Sequence, residues 1–283
     1  NIELAYEENI ILNLSSFDDV EHIESFYLKN KVSPKYHLKF DTGMTRLGFD
    51  LNDAEAIYES LSKPLHPYIE GVYTHFATAD EGDLSYAKKQ LSDFKMVVRK
   101  VESFGLKFKF IHCSNSGAVL NLENSYFNMV RVGMLLYGAL PSNEVIDNIG
   151  IKPVMSFCGS IVNVRKVKKN TPVSYGGVYK TASDTNIAVI QTGFADGFPR
   201  PWFESGYVIY NKEKFKIAGR VCMDQLMIDF GDVVPELGDD VLFFGENQIG
   251  HLPVEIIADQ INSTPYVLFT AIGGRTKLIY IDE

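Results

Sequence analysis

The stretch H-L-K-F-D-T-G-M-T-R-L-G-F, His37 to Phe49, decides the fold. Its first residues alternate polar and apolar with period two. That puts His37, Lys39 and Asp41 on one side of a strand and Leu38 and Phe40 on the other. A glycine turn follows and delivers Arg46. Polar side chains on a presumptive core strand need partners, and an arginine just past a strand's C-terminal end stands where parallel α/β folds hold ligands. Lys39 and Asp41 leave two readings open. They form a structural ion pair, or they belong to a carboxylate or phosphate anchor in which the forked guanidinium of Arg46 does the gripping.

Outward from this stretch, strand-then-helix units repeat: Ile10 to Leu14 with Val20 to Leu28, His37 to Phe40 with Ala54 to Leu61, and Ile69 to His75 with Tyr86 to Phe104. Phe108 to His112 with Ser116 to Leu122 comes next, and Asn128 to Arg131 closes the series as a fifth strand. Such alternation implies a parallel sheet with right-handed crossovers. After about Ser142 the pattern changes to β-branched and aromatic strands between polar turns: Ser160 to Val167, Asn186 to Thr192, Tyr207 to Tyr210, Phe215 to Ile217 and Met227 to Phe230. N-K-E-K, Asn211 to Lys214, reads as a hairpin loop, and one helix returns at Pro253 to Ile261. The expected division is α/β over 1–143 and mostly β over 144–283. A closed (β/α) barrel has eight strands and only five are counted, so either the fold is no barrel or its beginning precedes Asn1.

Composition narrows the function. A net charge of −9 argues against a nucleic-acid partner, which recruits clustered Lys and Arg. Apolar runs such as Met134 to Tyr137 and Val241 to Phe244 are far too short to cross a bilayer, so no membrane partner is expected. Cys113, Cys158 and Cys222 are odd in number and lack C-x-x-C spacing, which argues against a disulfide framework and a zinc site. Reduced thiols, a cytoplasmic location and no metal are the expectation. No signal peptide is visible.

Five further constellations carry polar chemistry at strand ends or turns. T-H-F-A-T-A-D, Thr74 to Asp80, offers His75. H-C-S-N-S-G, His112 to Gly117, offers hydroxyls and amides at a helix start, although an N-cap explains Asn115 or Ser116 equally well. M-V-R-V-G-M-L-L-Y-G, Met129 to Gly138, sets Arg131 before Gly133, whose bare backbone can approach a phosphate. V-S-Y-G-G, Val173 to Gly177, and C-M-D-Q, Cys222 to Gln225, bring a tyrosine and a Met–Asp pair to turns of the β region. From the residues alone, the reading is an α/β enzyme with a phosphorylated ligand.

Together with K-P-V-M-S, G-F-A-D-G-F-P-R and G-R-V-C-M-D-Q, these motifs resemble the alanine racemases, enzymes dependent on pyridoxal phosphate, in order and over nearly the whole chain. The resemblance implies a partial (β/α)8 TIM-type barrel, about five of eight units, followed by a mostly-β C-terminal domain. It implies interconversion of L- and D-alanine, supplying D-alanine for the bacterial cell wall, in a homodimer whose active sites are shared between subunits. The family's cofactor-binding lysine lies in an early motif like A-V-V-K-A-N-A-Y-G that has no counterpart here. Three strand–helix units are therefore expected before Asn1, and these residues by themselves are expected to be inactive.

Residue by residue, Arg131 resembles the arginine facing the cofactor's pyridine nitrogen, and His75 its support. Asn115, Ser116, Gly133, Met134 and Tyr266 match cofactor and phosphate contacts. Arg46 is similar to the arginine that grips the substrate carboxylate, and Lys39 to a lysine carbamylated in many members. Racemisation needs a base on each face of the substrate's Cα, and Tyr175 matches one of them. Met223 and Asp224 match substrate-side residues that reach into the partner's site. Phe194 stands where tyrosine is common, and Arg275 in G-G-R-T-K-L lacks the usual second arginine. The resemblance leaves open a racemase for serine or another small amino acid, or a catalytically incomplete cofactor-binding and dimerising chain.

Overall fold

A computed structural model describes residues 1–145 and 149–281. The chain divides into two compact units, one of Asn1–Gly133 with Glu144–Asn148 and one of Met134–Asn143 with Ile149–Glu283.

In the first unit, α1 (Ile2–Glu7) precedes β1 (Leu12–Leu14), α2 (Phe17–Asn30), β2 (Tyr36–Lys39), α3 (Ala54–Ser60), β3 (Ile69–Tyr73), α4 (Ser85–Ser103), β4 (Phe110–His112) and α5 (Ser116–Asn121). The strands form a parallel sheet in the order β1-β2-β3-β4. α2 starts where Ser16 and Asp19 cap each other's backbone amides in a capping box and stops at Lys31 in a left-handed conformation. α4 buries Ala87, Leu91, Phe94, Val98 and Val101 at helical spacing. These side chains join Leu14, Leu38, Val72, Ile23 and Ile57 in one core. The other sheet face is polar and aromatic. Register sets Asn13, His37, Gly71 and Phe110 abreast, and one row on, Lys39, Tyr73 and His112.

Asn128 to Arg131 is not a strand. Asn128 spends its side chain on the Ile111 amide and the Lys109 carbonyl at the edge of β4, and Arg131 N donates to Ser114 O. Phe127 has φ +46° and Met129 N closes a turn onto Tyr126 O, so the segment cannot extend into a ladder. The described residues thus supply four parallel strands where five are expected from sequence.

In the second unit come β5 (Phe157–Val167), β6 (Pro172–Val173), β7 (Tyr179–Lys180), β8 (Thr185–Ile190), β9 (Tyr207–Tyr210), β10 (Glu213–Ile217), β11 (Leu226–Asp229), β12 (Asp240–Asn247), β13 (Gly250–Leu252), α6 (Val254–Gln260) and α7 (Pro265–Ala271). Seven strands form the sheet β13-β12-β5-β8-β11-β10-β9, which curls until Ile209 of β9 meets Leu242 of β12. Phe157, Ile190, Phe198, Trp202, Ile228 and Phe243 lie in its core. The hairpin between β9 and β10 turns on Asn211 and Lys212 alone, both with positive φ, so Glu213 and Lys214 belong to the strand and not to the loop. The sequence reading also missed α7, whose first residue is Pro265. Among the described residues no helix is long and apolar enough to cross a membrane.

Candidate active site

The polar face of the first sheet ends in a cluster of cations. Lys39 is 5% exposed at the end of β2, with its ammonium 5.7 Å from the centre of the Tyr73 ring. Burial pushes its pKa down, Arg46 and Arg131 push the same way, and Asp41 opposes them. Asp41 is no salt-bridge partner for it. The carboxylate Oδ1 accepts the amide N–H groups of Gly43, Met44 and Thr45 at 2.8, 2.8 and 3.1 Å and shapes the turn that carries Arg46. Backbone bonds of Asp41 N to Phe49 O and Phe49 N to Lys39 O close this loop, and Arg46 lies on its exposed side.

Arg131 is the centre of the network. Its Nη2 donates to Thr74 O at 2.8 Å and to His75 Nδ1 at 3.2 Å, and its Nη1 donates to His112 Nδ1 at 2.5 Å. The guanidinium lies over the Tyr73 ring, which itself stacks on His112 at 4.8 Å and 12°. Burial foremost, then the Arg131 charge, pulls His112 down to about 3. The same causes, with smaller contributions from Arg46 and Lys39, pull His75 down to about 4. Both imidazoles are therefore neutral at physiological pH and can accept from a guanidinium that only donates.

Gln90 on α4 locks the His75 loop from behind. Buried fully, it accepts from Ala77 N and donates to His75 O and Thr42 Oγ1, while Thr42 and Thr74 share a 2.8 Å hydroxyl contact. Neither Gln90 nor His112 was singled out by sequence. A buried glutamine among the apolar positions of α4 was the available signal for the first.

Ser116 begins α5 and Asn115 caps it, accepting Ala118 N at 3.0 Å. Gly133 N donates to Ser116 Oγ at 3.0 Å, so the structure brings these two expected cofactor contacts together. Met134, expected beside them, is 1% exposed in the core of the second unit.

The second unit carries the remaining expected residues at its surface. Tyr175 opens a single tight turn and is 69% exposed. Met223, Phe194 and Tyr266 are exposed as well. Phe194 N and Ala195 N donate to Cys222 O and Met223 O, which docks the C-M-D-Q loop on the G-F-A-D turn. Gly193 permits this approach, because a Cβ there would collide with the Met223 carbonyl. Arg275 ties the same two segments together, its Nε 2.8 Å from Asp196 Oδ1 and its Nη2 2.6 Å from Asp224 Oδ1.

Fold and site together define a two-part α/β-plus-β protein whose strand ends gather positive charge around a desolvated arginine, an arrangement that suits an anionic ligand. The alanine racemase N-terminal domain model matches residues 1–141 and its C-terminal domain model residues 154–280. An alanine racemase of Desulforamulus reducens is 37% identical over 281 residues, 98% of this chain and 75% of that protein. Among solved structures, alanine racemase from Streptomyces lavendulae superposes with a TM-score of 0.89 at 29% identity, covering 99% of this chain and 74% of the other. That from Bartonella henselae, solved with covalently bound pyridoxal phosphate, gives 0.85 at 28% identity, with 99% and 75% covered. The chain belongs to the alanine racemase family.

Proposed function

We propose that the protein is an alanine racemase that interconverts L- and D-alanine with pyridoxal phosphate and so supplies D-alanine for cell-wall synthesis. The observation that carries this reading, within a member of this family, is Arg131 held between neutral His75 and His112 beside two further cations. The residues fit the cofactor's chemistry: a permanently charged donor suits a pyridine nitrogen, and the Ser116 hydroxyl with the Gly133 amide suits a phosphate, with Asn115, Met134 and Tyr266 as further contacts. Covalent attachment is assigned to no residue of this chain.

When bound, pyridoxal phosphate supplies the electron sink that acidifies an amino acid's Cα–H. Arg131, which gives up no proton at neutral pH, would face the ring nitrogen and leave it unprotonated, which favours return of the proton to Cα over other outcomes. Arg46 holds the substrate carboxylate through its fork. Lys39, if carbamylated, becomes an anion able to orient Arg46. Tyr175 exchanges a proton with Cα on one face, and Met223 and Asp224 bound the substrate.

The architecture read from these elements is part of a (β/α)8 barrel over 1–143, supported by helices on one sheet face and polar residues at the strand ends, and a mostly-β domain over 144–283. We further read a cytoplasmic homodimer in which Tyr175, Met223 and Asp224 serve the partner's cofactor. Their exposure supports the dimer, and three free cysteines support the location. The direct test is full-length protein with pyridoxal phosphate and L-alanine in heavy water: D-alanine should form with deuterium at Cα. Absence of both product and exchange sinks the reading, and serine turnover about tenfold above alanine redirects it to another small amino acid.

A further inference from the structure

His37 sits one row back from Lys39, away from the strand ends, and the racemase reading gives it no task. It is 9% exposed. The strand order sets β3 between His37 on β2 and His112 on β4, so two imidazoles that far apart should not meet. They do because the β3 residue abreast of His37 is glycine. A Cβ at Gly71 would stand 2.7 Å from His37 Nε2, closer than side-chain atoms approach. Through this opening His37 Nδ1 reaches to 2.9 Å from His112 Nε2.

The proton on each nitrogen then follows from Arg131. A guanidinium offers only donors, so His112 Nδ1 must present a lone pair. A neutral His112 therefore carries its hydrogen on Nε2 and donates it to His37 Nδ1. His37 in turn carries its hydrogen on Nε2, a buried atom with no hydrogen-bond partner among the described residues. The reverse direction would leave His112 without a ring proton at all. The chain of donors runs one way, outward from Arg131, and delivers the one unmet donor to its far end. Stacking by Tyr73 fixes the plane of the His112 ring but cannot choose which nitrogen is protonated.

We propose that His37 is a positioning residue for Arg131: its Nδ1 lone pair holds His112 in the Nε2–H form, with Nδ1 aimed at the guanidinium. The proton assignment rests on this geometry alone, whereas its consequence for turnover rests on the function proposed above.

The test uses the full-length holoenzyme with 15N-labelled histidine. In the parent protein at pH 8, His112 and His37 should each show one protonated ring nitrogen, Nε2, and the His112 signature should persist unchanged to pH 5. His37→Phe keeps the ring and removes the acceptor. It should give a mixed or broadened His112 signature and lower kcat about tenfold or more with KM for alanine little changed. His37→Gln restores an acceptor and should restore both readouts. Gly71→Ala displaces the His37 ring without deleting a polar group and should reproduce the phenylalanine variant, which keeps the question answerable if that variant fails to fold. A parent His112 protonated on Nδ1 or titrating as an ordinary histidine overturns the inference while leaving racemisation intact. So does a glutamine variant as impaired as the phenylalanine one. Loss of racemisation in the parent itself would instead overturn the functional reading and not the proton assignment.

Discussion

Arg131 contributes by where it points as much as by its charge. Its acceptors, Thr74 O, His75 Nδ1, His112 Nδ1 and, at 3.4 Å, Cys113 O, match the spread of a fork and not of a point charge. Arg131→Lys should therefore retain the positive charge yet lower kcat about a hundredfold, an effect of misplacement that steady-state kinetics would detect. The neutral histidines also set an acid limit. An unfolded chain takes up protons at His75 and His112 below the ordinary value of 6.5, whereas the folded protein resists until about 4 and about 3. Unfolding thus binds protons, and stability should fall as pH drops from about 6.5 toward about 4. Urea midpoints measured across that range should decline, and His112→Gln should flatten the decline. At this scale the sequence exposed His37, Lys39, His75 and Arg131 but not their connections. The His37–His112 contact crosses an intervening strand, and only strand order and register create it.

Elements were legible where periodicity was long or polar pairs were placed on one face. Lys39 and His37 shared a strand face as period two required, and α4 matched its helical pattern to within a residue at each end. Asn128 to Arg131 misled because its apolar content resembles a strand, while the asparagine side chain takes the hydrogen bonds a neighbouring strand would have made. α7 is only seven residues long and begins at a proline, too short for a pattern to emerge. The docking of the C-M-D-Q loop on the G-F-A-D turn was invisible to any local reading, since the contact passes through backbone atoms. Gly193→Ala should disturb it, costing about 1–3 kcal/mol of stability by overpacking and raising KM for alanine as Met223 shifts. Denaturant unfolding and kinetics on the same preparation would show both.

At the scale of the whole molecule, composition argues against a nucleic-acid partner, and the texture change near residue 143 points to an α/β part followed by a β part. Each part has its own apolar core. The proposed chemistry is divided in the same way: Lys39, Arg46, His75 and Arg131 belong to the first unit, Tyr175, Met223 and Asp224 to the second. If each site in the dimer draws the first set from one subunit and the second from its partner, two inactive variants can repair one another. Arg131→Gln mixed with Tyr175→Phe would form hybrid dimers in which one site collects both defects and the other collects none. Random pairing makes about half the dimers hybrids, so the mixture should recover about one quarter of the parent activity, from two proteins that have almost none apart. A mixture that stays inactive would assign both sets to a single chain. The division of this sequence into two units thus becomes a question of genetic complementation, answerable in a tube by unfolding and refolding two dead enzymes together.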